Sequence, residues 1–324
     1  MKLSVIIPTR NRCDLLRKTL ESILHQTMDK EFFEVIVVDN GSIDNTKQVV
    51  EKFKDSLSLI YFYEPKPGLH EGRHAGLRNS RSEILVYADD DIEAFPEWLE
   101  TIYNIFQKNE KIGLVGGKNL PKFETSPPFW ILEKWNIIHH NKGHVMGELS
   151  LLDLGDSEKE ISPYYVFGCN FSVRKSIVVD AGGFHPDGMP FELIRFRGDG
   201  ETYISEYIAK SDYVAWYHPK ASVYHFVPKD RMTEEYFCRW NYTAAISKAF
   251  SDIRKNTIND YEFSLKLTSI SSVKKYLKTL FLNSLKTDFQ KRQELSFKNG
   301  YQFLIANYNS YPEIKEWVLK KTFL

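Results

Sequence analysis

Three consecutive carboxylates, Asp89, Asp90 and Asp91, follow directly on an apolar run in "EILVYADDDI". Held side by side they repel one another, so the cluster gains from a hard divalent cation, and oxygen ligands of this kind suit Mg²⁺ or Mn²⁺. In an extended segment residues i and i+2 point the same way, which lets Asp89 and Asp91 share one task while Asp90 faces elsewhere. A solvated acidic turn, or a cap on a helix beginning near Pro96, would use the same residues without any chemistry. Two further polar clusters weigh against that plain reading. Pro8, Thr9, Arg10 and Arg12 follow the run "LSVII", and Asp39-Asn40-Gly41-Ser42 follows "FEVIVV".

The elements that must position these clusters alternate. "LSVIIPT" reads as a strand, and "CDLLRKTLESILHQT" as a helix with Leu15, Leu16, Leu20, Ile23 and Leu24 at helical spacing. "FEVIVVD" is a second strand, "NTKQVVEKFK" a helix, "LSLIYFYE" a third strand, "PGLHEGRHAGLRNSRS" a connection or short helix, and "EILVYA" a fourth strand. Near-continuous apolar strands separated by helices imply a mostly parallel sheet covered on both faces. Ligands of such sheets bind beyond the carboxyl ends of the strands, so the three clusters are expected to share one crevice. Residues 118–163 read as a long excursion with a mobile acidic loop, "LLDLGDSEKE". "YVFGCNFSVRKSIVVDAGGF" restores a strand and a helix. "FRGDGETYISEYIAKSDYVAWYHPKASVYHFVP" holds a helix and two short strands, and the chain is helical after Pro228.

The totals bound the function. The chain has 324 residues, 42% hydrophobic and 14% aromatic, enough for a large domain with an extension. Lys plus Arg equals Asp plus Glu at 43 each, which gives no global field for a polyanion such as nucleic acid. The balance hides an asymmetry: residues 231–324 carry 16 Lys/Arg against 9 Asp/Glu, and the rest is acidic. Cys13, Cys169 and Cys238 are scattered, as free thiols in a reducing cytosol would be. The N-terminal apolar run is broken at once by Pro8 and is too short for a signal peptide, and no stretch reaches the roughly 18 apolar residues of a membrane span. A cytoplasmic protein is expected.

In that order and spacing, "VIIPTRNR", "VIVVDNGSIDNT", "GRHAGL", "ILVYADDDI", "FGCNFSVRKS", "GDGETYI" and "ASVYHFVPKDRMT" resemble the inverting glycosyltransferases of family 2, over about residues 1–232. The resemblance implies a GT-A fold, an α/β, Rossmann-like, mostly parallel central sheet flanked by helices. Residues 1–230 would be the nucleotide-sugar-binding catalytic domain and residues 231–324 a basic helical extension. It implies transfer from a nucleoside diphosphate donor, a UDP-sugar, to a hydroxyl acceptor, saccharide or lipid-linked, in polysaccharide, glycolipid or other glycoconjugate synthesis. Carried over position by position, Pro8, Thr9, Arg10 and Arg12 would form the first loop around base and ribose. Asp39 would accept from the base, with Asn40 and Ser42 shaping that loop. Arg73 falls on the family's Arg-Asn pair, with His74 in place of the asparagine, and would contact pyrophosphate or uracil. Asp89 would contact ribose or metal, Asp90 the donor, Asp91 the metal bridging the diphosphate, and His225 would be a third ligand. Asn170 would line the donor-sugar or acceptor side. A bound Mn²⁺ or Mg²⁺ would stabilise the departing diphosphate.

Inversion needs a base to take the acceptor's proton. The family places a carboxylate at a helix start, in a Glu-Asp pair followed by an apolar residue three positions on. "GDGETYI" departs from that pattern: counting back from Ile204 gives Glu201, the pair's first carboxylate becomes Gly200, and Asp199 competes for the role. Both acids would also serve as plain N-terminal charges stabilised by the helix dipole. The basic tail, with "SSVKKYLKTLFLNSLKTDFQK", suits either a peripheral contact with an anionic membrane at its inner face or helices that pack on the catalytic domain and leave lysines in water. Two other functions use similar parts. A sugar nucleotidyltransferase would carry a Gly-rich loop after the first strand, where "PTRNRCD" has no glycine, and an idle nucleotide-binding scaffold would keep the pocket without turnover.

Overall fold

A computed structural model describes residues 1–139, 143–258 and 286–324. They form two compact units, one of Met1–Ile194, Gly200–Met232 and Lys321–Leu324, the other of Arg195–Asp199 and Thr233–Lys320.

The first unit is built on strands β1 (Leu3–Thr9), β2 (Phe33–Asp39), β3 (Leu59–Tyr63), β4 (Ile84–Ala88), β5 (Ile92–Ala94), β6 (Ile112–Gly116), β7 (Asn119–Phe123), β8 (His144–Met146), β9 (Leu151–Asp153), β10 (Lys159–Ile161), β11 (Asn170–Arg174), β12 (Val214–Tyr217) and β13 (Val223–Val227). Eight of them form one sheet in the order β10-β12-β6-β11-β4-β1-β2-β3. The pairs β1/β2, β1/β4, β2/β3 and β6/β12 are parallel, while β11 runs antiparallel between β4 and β6. Every residue of β1 and β2 is buried, because helices cover both faces. Leu3, Val5 and Ile7 pack on one side with Leu16 and Leu20 of α1 (Cys13–Leu24), α2 (Thr46–Glu51) and, after α3 (Leu69–Asn79), with Trp98 of α4 (Trp98–Lys108). Ile6 and Ile36 face the other side, against Ala75 and Leu77 of α3. A Cβ at Gly76 would lie 2.2 Å from Ile6 Cγ2, so a glycine there lets α3 seat directly on β1. Two glycines weaken the local helical signal, yet packing against the sheet completes an eleven-residue helix where the sequence left a connection or a short helix open.

A second sheet, β5-β13-β7-β9-β8, occupies part of the stretch read as an excursion. α5 (Phe129–Asn136) lies within it, and α6 (Lys175–Asp180) and α7 (Thr202–Ala209) follow in the chain. The mobile loop expected over "LLDLGDSEKE" is corrected here. Leu151, Leu152 and Leu154 are buried, and β10 pairs antiparallel with β12. The leucines anchor the segment inward while its acids face water, and that alternation, not the net charge, decides the fold.

In the second unit α8 (Glu234–Arg254), α9 (Asp288–Ser310) and α10 (Pro312–Val318) pack together. Phe237, Ala245, Ile246, Ala249 and Phe250 make the inward stripe of α8. A Thr287–Gln290 capping box starts α9, and Tyr301 donates to the buried carboxylate of Asp252. Most of the amphipathic "SSVKKYLKTLFLNSLK" lies outside the described residues. Among the described residues no helix is long and apolar enough to cross a membrane.

Candidate active site

The tips of β1, β2 and β4 meet. Thr9 stands opposite Asp39 in the parallel register, and the Asn40 N–H donates to the Thr9 carbonyl at 2.8 Å. The Thr9 hydroxyl donates to Asp90 Oδ2 at 2.6 Å. Asn11, at a left-handed φ of 55°, ties the first two loops together, its N–H donating to Ser42 Oγ and its Oδ1 accepting from the Ile43 N–H. Asp39 accepts from the Ser42 N–H and from the Tyr61 hydroxyl, each at 2.7 Å, and Asn40 donates to the carbonyls of Glu64 and Lys66. Pro8 is buried and Arg10 is exposed on the loop.

The aspartate cluster divides its work. Arg12 bonds Asp90 Oδ1 at 2.6 Å and Asp91 Oδ2 at 2.5 Å. Asp90 therefore holds Thr9 and Arg12 in place, and both of its oxygens are engaged inside the fold. Burial pushes its carboxyl up to about 7 against the pull of Arg12. Arg12, expected in the first loop around base and ribose, spans two aspartates. Asp89 and Asp91, two residues apart, converge with His225, one ligand atom from each lying within 4.8 Å of the others.

The second sheet delivers His225. β13 pairs with β5, His225 stands opposite Ile92, and the Phe226 N–H donates to the Asp91 carbonyl at 2.9 Å. His225 Nδ1 lies 2.9 Å from the Leu149 carbonyl, which can only accept, so Nδ1 carries the proton and Nε2 presents a lone pair. That Nε2 is 3.4 Å from Asp91 Oδ1, a buried oxygen with no hydrogen bond. Burial disfavours charge on the imidazole, but Asp91 outweighs it and holds the His225 pKa above the ordinary value. Burial likewise works against Asp91, and His225, Arg12 and Arg231 together pull its pKa down. Asp89 is pushed up by burial and by the charge of Asp91. An orphaned carboxylate oxygen facing an imidazole lone pair, with a second carboxylate beside them, is a donor set that fits a divalent cation.

Beside this lies a second carboxylate group built on α3. Arg73 is 2% exposed, and its Nη1 bonds Asp187 Oδ2 at 3.0 Å and Glu201 Oε2 at 3.1 Å. Burial opposes its charge, but Asp187, Glu201 and Asp89 more than restore it and raise its pKa. The guanidinium also lies over the Phe184 ring, 5.2 Å from its centre. Glu201 immediately precedes α7, and its side chain remains 30% exposed. A Cβ at Gly168 would come within 2.4 Å of Arg73 Nη2 and 3.0 Å of Glu201 Oε1, so only a glycine leaves the pair room.

Arg73, for which the resemblance implies a pyrophosphate or uracil contact, is buried with its Nη1 engaged by Asp187 and Glu201. Asn170, for which it implies the donor-sugar or acceptor side, accepts at Oδ1 from Trp98 Nε1 and donates from Nδ2 to Asn119 Oδ1 and the Ala221 carbonyl, so the amide ties the two sheets. Asp199 falls in the other compact unit. Sequence reasoning missed Asp187, hidden in the turn-like "GGFHPDGM", and Arg231, whose Nη1 is 4.0 Å from Asp91 Oδ2. A basic residue six positions past His225 was the available signal for Arg231.

The chain matches the family description "Glycosyl transferase family 2" over residues 4–178. It is 36% identical over 102 residues to validoxylamine A glucosyltransferase of Streptomyces hygroscopicus subsp. jinggangensis, 31% of this chain and 24% of that protein. It is 31% identical over 138 residues to the poly(ribitol-phosphate) beta-N-acetylglucosaminyltransferase TarP of Staphylococcus aureus, 42% of each. The matched stretch thus spans less than half of either relative. Among solved structures, the mannosyltransferase PcManGT of Pyrobaculum calidifontis superposes with a TM-score of 0.58 at 18% identity, covering 96% of this chain and 87% of that one. TarS residues 1–349 of S. aureus superpose at 0.53 with 16% identity, covering 95% and 92%. Likeness at those identities speaks for the fold, which is GT-A. The family match covers more than half of the sequence, with its glycine-poor first loop and its aspartate run, and by it the chain belongs to glycosyl transferase family 2.

Proposed function

We propose that the chain transfers a sugar from a nucleoside diphosphate donor, UDP-linked, to a hydroxyl acceptor with inversion at the anomeric carbon. One observation carries the reading: Asp89, Asp91 and His225 each bring one ligand atom within 4.8 Å of the others, with His225 Nε2 3.4 Å from the buried Asp91 Oδ1. Asp89, Asp91 and His225 would hold a divalent cation, which when bound would neutralise the charge that develops on the diphosphate. The imidazole favours Mn²⁺ over Mg²⁺. PcManGT was solved with GDP-Man and Mn²⁺, and TarS with UDP-GlcNAc.

Glu201 would take the proton from the acceptor hydroxyl as its oxygen attacks the anomeric carbon. The bond from that carbon to the diphosphate oxygen breaks, and the electron pair leaves with the nucleoside diphosphate. Arg231, near Asp91 and part-exposed, stands ready to meet the leaving phosphate. Thr9, Asp39, Asn40 and Ser42 would frame base and ribose. Residues 1–230 would carry the reaction and residues 231–324 would extend it toward the acceptor, a saccharide or a lipid-linked one. The three free thiols suit work in the cytoplasm.

The test is hydrolysis of a panel of UDP-, GDP- and dTDP-sugars by the purified protein, with Mn²⁺, with Mg²⁺ and after chelation. Metal-dependent release of UDP from at least one donor is expected. Release of no nucleotide from any donor, with no metal-dependent UDP binding, would remove the reading.

A further inference from the structure

Arg73 Nη1 has two N–H bonds, and Asp187 Oδ2 at 3.0 Å and Glu201 Oε2 at 3.1 Å receive them. Two carboxylates from distant parts of the chain are thereby fixed on one nitrogen. The residue before Glu201 is Gly200, with φ at 55°, and a Cβ there would lie 2.7 Å from Asp187 Oδ2 and 3.0 Å from Asp187 Cβ. The space that a side chain at position 200 would need is occupied by the carboxylate of Asp187. The Asp187 loop is itself held firmly: its carbonyl accepts from the Leu69 N–H at the start of α3, and His185 stacks on Tyr203 of α7 with ring centres 3.6 Å apart.

We propose that Asp187 is a positioning residue for Glu201, supplying from the loop after α6 the carboxylate that the chain lacks at position 200. It acts through Arg73. An arginine facing Glu201 alone could fold its guanidinium fully onto that carboxylate and draw it away from the acceptor. With Asp187 taking the other N–H of Nη1, the guanidinium is held between the two acids and Glu201 keeps one orientation while remaining 30% exposed. Gly200 is the matching half of the device, because only a residue without a side chain admits Asp187 so close to the start of α7, and its left-handed backbone is cheapest for glycine. The inference rests on Glu201 being the base proposed above.

The test moves the carboxylate. Kinetics of UDP-GlcNAc and UDP-glucose hydrolysis, UDP affinity by titration and Tm are measured for wild type, Asp187→Asn, Gly200→Ala, Asp187→Gly and the double variant Asp187→Gly with Gly200→Asp. A misplaced base typically lowers turnover about 100-fold, so Asp187→Asn is expected to lose that much kcat with UDP affinity unchanged. Gly200→Ala, which keeps the charge but pushes Asp187 aside, is expected to lose kcat as well. Asp187→Gly alone is expected to fall like Asp187→Asn, and the double variant to regain most of the loss, because aspartate tolerates left-handed backbone better than most residues. A folded double variant no more active than Asp187→Gly would overturn the inference, as would an Asp187→Asn variant with wild-type kcat. In either case a wild type that turns over and a Glu201→Gln variant that does not leave the proposed function intact. A wild type that hydrolyses neither donor nor any other in the panel removes the function and this inference together.

Discussion

The molecule holds two carboxylate groups side by side, and they differ in where their arginines sit. Around Arg73 two acids share a guanidinium that is 2% exposed, and the positive charge is built into the core. Around Asp89, Asp90 and Asp91 the arginines Arg12 and Arg231 stand at the rim, each with side chains 30% exposed, and they satisfy Asp90 and one oxygen of Asp91 only. In the first group both N–H bonds of Arg73 Nη1 are taken by carboxylates, and the Glu201 side chain stays 30% exposed. In the second, Asp89, Asp91 and His225 bring one ligand atom each within 4.8 Å of the others. A fixed internal cation suits proton handling, and a converging set of ligand atoms suits a cation that arrives from solution with its substrate.

That contrast breaks most sharply at Asp91. Asp91→Ala is expected to abolish Mn²⁺-dependent UDP binding and to lower donor hydrolysis by about four orders of magnitude, the several kcal/mol that a metal contributes to a leaving anion. Equal UDP affinity with and without Mn²⁺ in wild type and variant would refute the cation assignment. Glu201→Gln is expected to cost about three orders of magnitude in kcat while UDP titration stays unchanged. If Asp199→Asn does so instead, the base lies two residues earlier and the Arg73 group is structural.

Gly168→Ala probes the crowding of the second group without touching a charge. A Cβ 2.4 Å from Arg73 Nη2 forces the guanidinium aside, so a loss of about 1–3 kcal/mol in Tm-derived stability is expected, with kcat falling more than UDP affinity. Unchanged stability and kcat would mean that the Arg73 group tolerates displacement.

The smallest effect is in pH. His225 has its pKa raised in the metal-free fold, so its protonated form contributes stability below the unfolded value of about 6.5, and that contribution disappears as pH rises through the higher folded value. Metal-free protein should therefore lose Tm on going from mildly acidic to mildly alkaline buffer, and saturating Mn²⁺ should flatten the slope, since the metal replaces the proton on Nε2. Asp90, its carboxyl pushed up to about 7 by burial, adds a slope of the same sign, so His225→Gln should reduce the slope rather than remove it. An identical slope in His225→Gln would place the dependence elsewhere.

Much of the first group of strands is legible in the sequence, because a strand buried on both faces must be apolar throughout, and β1, β2 and β4 are. The meeting of Thr9, Ser42 and Asp90 follows from parallel strands ending on one side. The second sheet is not legible. Its strands are three to five residues long, β7 carries Pro121, and its pairings span distant sequence, such as Val223 with Asn119 and with Ala94. The same limit hid Asp187 and the partners of Asn170 and Arg73. A sequence motif marks that a polar residue is wanted, whereas its partners are fixed by which strands adjoin. Asn170 starts an antiparallel strand beside Ala88, and that neighbour, not its own type, turned it inward to Trp98.

The pairing of β5 with β13 has a consequence for assembly. Asp91 and His225 become neighbours only when the last strand of the first unit docks, long after β1 to β4 have been synthesised and are able to pair. Contacts this distant in sequence close slowly. A nascent chain released or arrested at residue 178, where the family match ends, would possess every aspartate of the cluster yet neither the imidazole nor Glu201. Cation affinity of arrested chains of increasing length would then act as a clock for the completion of the fold, switching on after residue 227 leaves the ribosome.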